Sequence, residues 1–114
     1  DGYLVEAYAP GSIQIDGRIF HVGLILSPRK LVPDWGPARA EELTLAHLEA
    51  LLALEPQVIL LGTGARQVFP PAALLASAMT RGIGIEVMDT GAACRTYNIL
   101  MGEGREVVAG LLPI

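Results

Sequence analysis

The sequence predicts an α/β fold in which a largely central sheet lies between helices and a β-hairpin region comes first. Two patterns carry this prediction. Residues 12–22 alternate polar and apolar side chains around an Asp-Gly pair, whereas residues 41–112 alternate helical and strand patterns. Strands and helices that alternate along a chain form right-handed crossovers, which place the helices against a shared sheet. The length of 114 residues fits one domain, so residues 1–114 are expected to be a single domain.

The N-terminal part is predicted to form strands. Residues 4–8 form a short apolar stretch that indicates a first strand. Residues 12–15 alternate polar and apolar side chains, and the Asp-Gly pair at 16–17 separates them from a second alternating run, which is the strongest short hairpin signal. The second run is expected to continue as one strand through Gly23 to residue 26. Gly23 would mark a bulge or a close backbone contact.

A loop and a first helix follow. Residues 27–37 contain three prolines and are expected to be a loop. Residues 41–54 show helical periodicity that ends before Pro56, and Thr44 or a residue just before it is a candidate cap. The side chains expected on the inner face of this helix are Leu45, Leu48, Leu51 and Leu52.

The remainder alternates strands and helices. The continuous apolar run at 58–61 is typical of a strand covered on both faces. A second helix is expected between Pro71 and Gly82, because proline is tolerated in a first turn and glycine ends helices. Its expected inner side chains are Leu74, Leu75, Ala78 and Met79. A strand at 83–89, a helix at 90–101 and a last strand at 107–112 complete the chain.

Composition excludes several classes of function. The net charge is −4 and the eight basic residues are scattered, so no nucleic-acid partner is predicted. One cysteine and two histidines give no intramolecular disulfide and no zinc-binding pattern, and neither a metal nor a cofactor is predicted. A single cysteine favours a reducing compartment, so a cytoplasmic (bacterial) location is expected. No apolar run reaches the roughly 18 residues of a membrane span, so no transmembrane segment is expected. The sequence begins at Asp1 rather than Met, and residues upstream of it are expected.

The loop after the buried strand is the first candidate binding site. It contains Gly62, Thr63, Gly64 and Arg66, and open α/β sheets bind ligands where strands end. Glycines let a backbone approach a phosphate, and Arg66 adds positive charge. The alternative is a tight turn that needs glycine, because Gln67 stands where a dinucleotide fingerprint has its third glycine. The ligand-binding hypothesis adds three polar residues that follow the next strand: Asp89, Thr90 and Asn98.

Two further residues have alternative interpretations. Asp89 or Thr90 is predicted to cap the third helix, which would put Cys94 where a helix dipole lowers a thiol pKa. A redox role for Cys94 is therefore one hypothesis, and a small, partly buried cysteine is the other. Trp35, in the proline-rich loop, either plugs the edge of the core or anchors a protein partner.

Three segments together carry a resemblance to a known family. Residues 12–17 are Ser-Ile-Gln-Ile-Asp-Gly, residues 56–64 are Pro-Gln-Val-Ile-Leu-Leu-Gly-Thr-Gly, and residues 84–98 contain Asp-Thr-Gly-Ala-Ala-Cys-Arg-Thr-Tyr-Asn. On these segments the chain resembles a small family of domains of unknown function from bacteria and archaea. Its eukaryotic relatives include mitochondrial NADH dehydrogenase assembly factor 3 and an adipogenesis-associated cytoplasmic protein. The resemblance covers nearly the whole chain.

The resemblance implies a three-layer fold with a central mixed sheet, helices on one side, and a β-layer with a helix on the other. In this chain the additional β-hairpin layer would come from the N-terminal part. The resemblance implies no catalytic residue. It suggests a non-enzymatic interaction protein, with respiratory-complex subunits or other assembly factors as partners. A small-molecule binder or enzyme is the alternative, and a homodimer stays open because 52% hydrophobic residues predict an exposed apolar patch.

Overall fold

The computed structural model describes residues 2–114; Asp1, the first residue of the predicted single domain, lies outside the described residues. The strands are β1 (Val5–Ala9), β2 (Ser12–Ile15), β3 (Arg18–Phe20), β4 (Leu24–Leu26), β5 (Leu31–Pro33), β6 (Val58–Gly62), β7 (Gly84–Met88) and β8 (Val107–Leu111). The α-helices are α1 (Leu45–Leu52), α2 (Ala72–Met79) and α3 (Thr90–Gly102). No helix among residues 2–114 is long and apolar enough to cross a membrane.

The strands form two sheets, and the predicted three-layer α/β architecture is confirmed. The small sheet has the order β1-β2-β3 and is antiparallel. The central sheet has the order β5-β4-β8-β6-β7 and is mixed, since β6 runs parallel to both of its neighbours while β4 runs antiparallel to β8. The last strand in the sequence therefore lies in the middle of the central sheet.

Two apolar clusters cover the two faces of the central sheet. One cluster joins α3 and the inner face of the small sheet to the central strands, with Tyr97 among its fully buried side chains. The other joins α1, α2 and the loop around Trp35 to the opposite face. Alternate residues of β6 serve the two clusters, with Leu60 on one side and Ile59 and Leu61 on the other. This is why the apolar run is continuous, as predicted.

Local signals locate most turns and caps correctly. Asp16 and Gly17 have φ values of 53° and 73°, which is the double left-handed turn that an Asp-Gly hairpin requires. Thr44 caps α1, where its hydroxyl accepts the backbone N–H of His47, and the His47 imidazole accepts the N–H of Thr44 in return. Gly82, at φ 72°, ends the turn after α2.

The predicted long strand through Gly23 is wrong. The chain leaves the small sheet after Phe20 and enters the central sheet at Leu24. Gly23 makes the close backbone contact that was its other interpretation, because a Cβ there would lie 2.1 Å from the carbonyl oxygen of Trp35. The Gly23 carbonyl oxygen accepts the N–H of Trp35 at 2.8 Å. This bond joins the chain just before β4 to the chain just after β5.

Three smaller expectations also need correction. The predicted loop 27–37 contains β5, which pairs with β4 and is too short to show an alternating pattern. The helix expected over 41–54 is a short 3₁₀ turn at Ala40–Glu42 followed by α1. Leu45 and Met79 are 51% and 73% exposed rather than buried on the inner faces, and they are the first residue of α1 and the last residue of α2.

Trp35 lies in the core. Its side chain is 6% exposed, and its indole Nε1 donates a hydrogen bond to the carbonyl oxygen of His47 at 3.1 Å. The ring covers β8 at Gly110, where an added Cβ would lie 2.6 Å from Trp35 Cη2. Of the two sequence-based interpretations, the burial matches the plug at the edge of the core.

We expect Trp35→Ala to lower the free energy of unfolding by about 3–5 kcal/mol, because it removes a large buried side chain and leaves a cavity over Gly110. Urea unfolding followed by circular dichroism measures this loss. Phe69→Ala is the matched control, since Phe69 is 65% exposed and its truncation should change stability by less than about 0.5 kcal/mol. Equal losses in the two variants would contradict the packing described for Trp35.

Candidate functional site

The carboxyl ends of β6, β7 and β8 meet at one edge of the central sheet, because the three strands run in the same direction. The loop after β6 and the start of α3 are joined here, as the sequence predicts. The N–H of Thr90 donates to the carbonyl oxygen of Gly64 at 2.9 Å, and the N–H of Thr63 donates to that of Met88 at the same distance. Gly62, Thr63, Gly64, Asp89 and Thr90 are thus brought together.

The hydroxyl of Thr90 connects three chain segments at this edge. Thr90 is fully buried, and its Oγ1 accepts the Gly64 N–H at 2.8 Å while donating to the Leu112 carbonyl at 2.7 Å. Glycine at position 62 fits this close packing, since a Cβ would lie only 3.0 Å from both Thr90 Cα and Thr90 Oγ1. The close approach that glycine permits at this position is therefore made by α3.

The hydroxyl of Thr63 folds the loop onto itself. Its Oγ1 donates to the carbonyl oxygen of Arg66 at 2.6 Å and accepts the N–H of Val68 at 3.0 Å. Gly64 adopts φ 104°, a conformation that favours glycine. The loop thus has the features of the turn interpretation, and both threonine hydroxyls are engaged within the protein. Ligand binding at this loop stays a prediction.

Two clefts lie on either side of the segment at Gly64. One has a volume of about 260 Å³ and is lined in part by Arg39, Glu41 and Arg66. Arg39 and Glu41 form an exposed ion pair at 3.4 Å. A hydrogen bond from its own backbone and the nearby Arg39 guanidinium hold the pKa of the Glu41 carboxyl below its usual value. Arg66, predicted as a source of positive charge, is exposed at this cleft.

The second cleft, of about 240 Å³, is lined in part by Tyr8, Asp89 and Arg95. Asp89 caps α3 as predicted, with Oδ1 accepting the N–H of Ala92 at 2.9 Å. Arg95 Nη1 donates to the hydroxyl of Tyr8, and the guanidinium lies 5.9 Å from the centre of the Tyr8 ring. The predicted set omits Tyr8, because no local pattern shows that β1 passes beside α3.

Asn98 does not lie with the other predicted residues. Its Oδ1 accepts the N–H of Val5 at 2.9 Å, and its Nδ2 donates to the Val5 carbonyl at 2.9 Å. The carboxamide thus bonds β1 as a neighbouring strand would and joins the small sheet to α3. Asn98 lies eight positions after Thr90 in α3, a distance of about 12 Å along the helix axis.

The expectation that α3 lowers the pKa of Cys94 is wrong. The Cys94 side chain is 1% exposed, and burial raises the pKa of the thiol to about 12, although nearby Arg95 acts in the opposite direction. Burial costs the charged form its hydration, and this is the largest influence on the pKa of the Cys94 thiol. Cys94 is a buried thiol in the cluster that contains Tyr97.

Comparison with known proteins identifies the family. Residues 5–112 match DUF498, a family described as "Protein of unknown function (DUF498/DUF598)". The chain belongs to this family, which confirms the resemblance found in the sequence. Among its relatives, "NADH dehydrogenase [ubiquinone] 1 alpha subcomplex assembly factor 3" of Danio rerio is 36% identical over 115 residues, which cover 98% of this chain and 65% of the relative. The chain thus spans just under two thirds of that protein's length.

Solved structures share the fold. A crystal structure of a protein from Bordetella parapertussis has a TM-score of 0.93 and 38% identity, covering 99% of this chain and 97% of that one. A solution structure of a Bordetella pertussis protein, described as a Mth938-like domain, has a TM-score of 0.85 and 33% identity. The alignment covers 97% of this chain and 85% of that protein.

We expect Thr90→Val to lower the free energy of unfolding by about 3 kcal/mol, because the Gly64 N–H and the Leu112 carbonyl would both be buried without a partner. Urea unfolding measures the loss. Thr80→Val is the control, since the Thr80 hydroxyl bonds the Ser77 carbonyl at an exposed position and its removal should change stability by less than about 0.5 kcal/mol. A Thr90→Val protein as stable as the control would contradict the connecting role of this hydroxyl.

We expect stability to fall as the pH rises above about 9. The thiol of Cys94 has its folded pKa raised from 9.0 to about 12, so the unfolded chain loses its proton first. The contribution of the Cys94 thiol to the free energy of unfolding is therefore fully present below about pH 9. It declines between about pH 9 and pH 12, by at most about 1.4 kcal/mol per pH unit. Burial also raises the pKa of Tyr97, which acts in the same direction.

Urea unfolding at several pH values between about 8 and 11 measures this decline. The decline should be shallower in Cys94→Ala, which lacks the thiol and keeps the contribution of Tyr97. The same slope in both proteins would show that the thiol does not contribute.

Proposed function

We propose that this member of the DUF498/DUF598 family is a non-enzymatic binding protein that takes part in assembling the respiratory NADH dehydrogenase, complex I. The observation that carries the proposal is the 36% identity to the Danio rerio assembly factor 3 over 98% of the chain. Because the match extends through both sheets and all three helices, the whole described fold is the unit that would bind partners.

The side chains at and near the carboxyl ends of β6 and β7 support a binding role rather than catalysis by a nucleophile. The hydroxyls of Thr63 and Thr90 are held in hydrogen bonds within the protein. The Cys94 thiol is buried and keeps its proton at neutral pH. An activated nucleophile needs an accessible atom and a base beside it. These three groups are engaged in folding instead.

Exposed apolar side chains supply the contacts that such a protein needs. Large apolar side chains exposed by more than a third are Leu4, Tyr8, Ile19, Val22, Leu45, Phe69, Met79 and Ile99. Phe69 is 65% exposed and directly precedes Pro70 and Pro71. Aromatic residues contribute much of the binding energy in protein interfaces. Phe69 therefore replaces the buried Trp35 as the proposed anchor for a partner.

We expect cells that lack this protein to contain less assembled complex I, measured by native gel electrophoresis and by NADH-dependent quinone reduction in their membranes. The wild-type protein should restore both quantities. Phe69→Ala should restore them only partly, although the variant should fold normally. Ile99→Ala is the matched control, since Ile99 is 61% exposed on α3, on the opposite face of the central sheet from α1 and α2.

Normal complex I in cells without the protein would contradict the assembly role. Full restoration by Phe69→Ala would leave the role standing and remove Phe69 as the anchor.

A further inference from the structure

The edge strands of the two sheets are protected to different degrees. Within residues 2–114 the edges are β1, β3, β5 and β7. Strands β3 and β5 have three residues each, and β5 ends in a proline. The main chain of β1 is bonded at Val5 by Asn98. Strand β7 has five residues and pairs with β6, and its other side is bonded at Val87 by the exposed side chain of Gln67, whereas Asn98 is half-buried. Unprotected edge strands are sites where another chain can add.

The hydrogen bonds show which residues of β7 direct their main chain outward. The Met88 carbonyl accepts the N–H of Thr63 at 2.9 Å, so Met88 directs its backbone toward β6. Backbone direction alternates along a strand, and Ile85 and Val87 therefore present their N–H and carbonyl groups to the open side. The Gln67 side chain confirms this direction, because its Nε2 donates to the Val87 carbonyl at 2.8 Å.

The Gln67 carboxamide stands where an added strand would place an N–H group. It is exposed, so an incoming main chain can replace it without opening the core. Two residues further along the chain is Phe69, the exposed aromatic side chain. The residue that bonds the open side of β7 and the exposed Phe69 thus belong to the same short loop.

We propose that β7 is a docking edge, at which an extended segment of a partner protein adds as a sixth strand and places a basic side chain beside Glu86. This inference rests on the proposed function, since the segment would belong to a protein that the chain helps to assemble. Adding a strand satisfies the outward groups of Ile85 and Val87 with main-chain hydrogen bonds.

Charge favours a different protein over a second copy of this chain. Glu86 is exposed, and none of the ion pairs within residues 2–114 includes it. A lysine or arginine on a neighbouring strand would form a favourable cross-strand pair with it. Two antiparallel β7 strands paired along their length would instead place both Glu86 carboxylates on one face, opposite or diagonal at about 7–8 Å or less. Like charges at that spacing oppose self-pairing.

The test uses short, end-blocked peptides in which valine alternates with lysine or, in the matched peptide, with glutamate. NMR at low salt follows binding and the hydrogen exchange of backbone amides. We expect the lysine peptide to slow exchange at Ile85 and Val87 and to bind about five-fold more tightly than the glutamate peptide. Glu86→Lys should reverse this preference, while Glu103→Lys, the same change at an exposed residue after α3, should retain it.

Val87→Pro removes an outward N–H that the β6 ladder does not use, and it should abolish binding of both peptides. If this variant does not fold, the reversed peptide preference expected for Glu86→Lys still tests the inference. Unchanged exchange at Ile85 and Val87, or equal binding of the two peptides, would overturn the inference. Slower exchange at these amides when the protein alone is concentrated would show that a second copy covers the edge, and would also overturn it.

Complementation separates this inference from the proposed function. If loss of the protein lowers complex I but Glu86→Lys and Val87→Pro both restore it fully, the docking edge is wrong and the assembly role stands. If loss of the protein leaves complex I unchanged, the assembly role fails, and with it the assignment of the segment to an assembly partner. The peptide measurement then judges only whether β7 accepts a basic strand.

Discussion

The rest of the structure depends on one buried hydroxyl, that of Thr90, which joins three chain segments at the carboxyl ends of β6, β7 and β8. Thr90 Oγ1 bonds the loop after β6 on one side and the chain after β8 on the other, and Thr90 itself begins α3. Three segments that are distant in sequence therefore share one atom. The glycine at 62 follows from this arrangement, because the helix start lies against the strand end. A buried polar atom that is fully bonded specifies one geometry, since any shift would leave a group unpaired.

The parts of the fold that depend on local chemistry were predictable from sequence, and the parts that depend on distant pairing were not. The Asp-Gly turn, the Asp89 cap and the buried run of β6 are each determined by neighbouring residues. At Gly23 the chain passes from the small sheet to the central sheet, where β4 pairs with β5 and with β8, more than eighty residues later. Nothing near Gly23 in the sequence signals that partner.

The candidate site shows the same division. The meeting of the Gly62–Gly64 loop with Asp89 and Thr90 followed from the order of strands and helices. Asn98 was grouped with them by its nearness in sequence, whereas its carboxamide bonds Val5, ninety-three positions away. Trp35 is exceptional in composition and placed in a loop, yet it is buried because Gly110 leaves space for its ring. A glycine in one strand and an indole in a distant loop form a single packing unit, which no local pattern contains.

The central position of β8 imposes an order on biosynthesis. Strand β4 has only β5 and β8 as neighbours, and Trp35 rests on a glycine of β8. While the ribosome is still producing residues 107–111, the N-terminal half already carries its apolar strands but not the strand that covers them. Until β8 has been synthesised, these apolar segments lack the strand that pairs with them. During this interval the nascent chain is most exposed to aggregation and to chaperones.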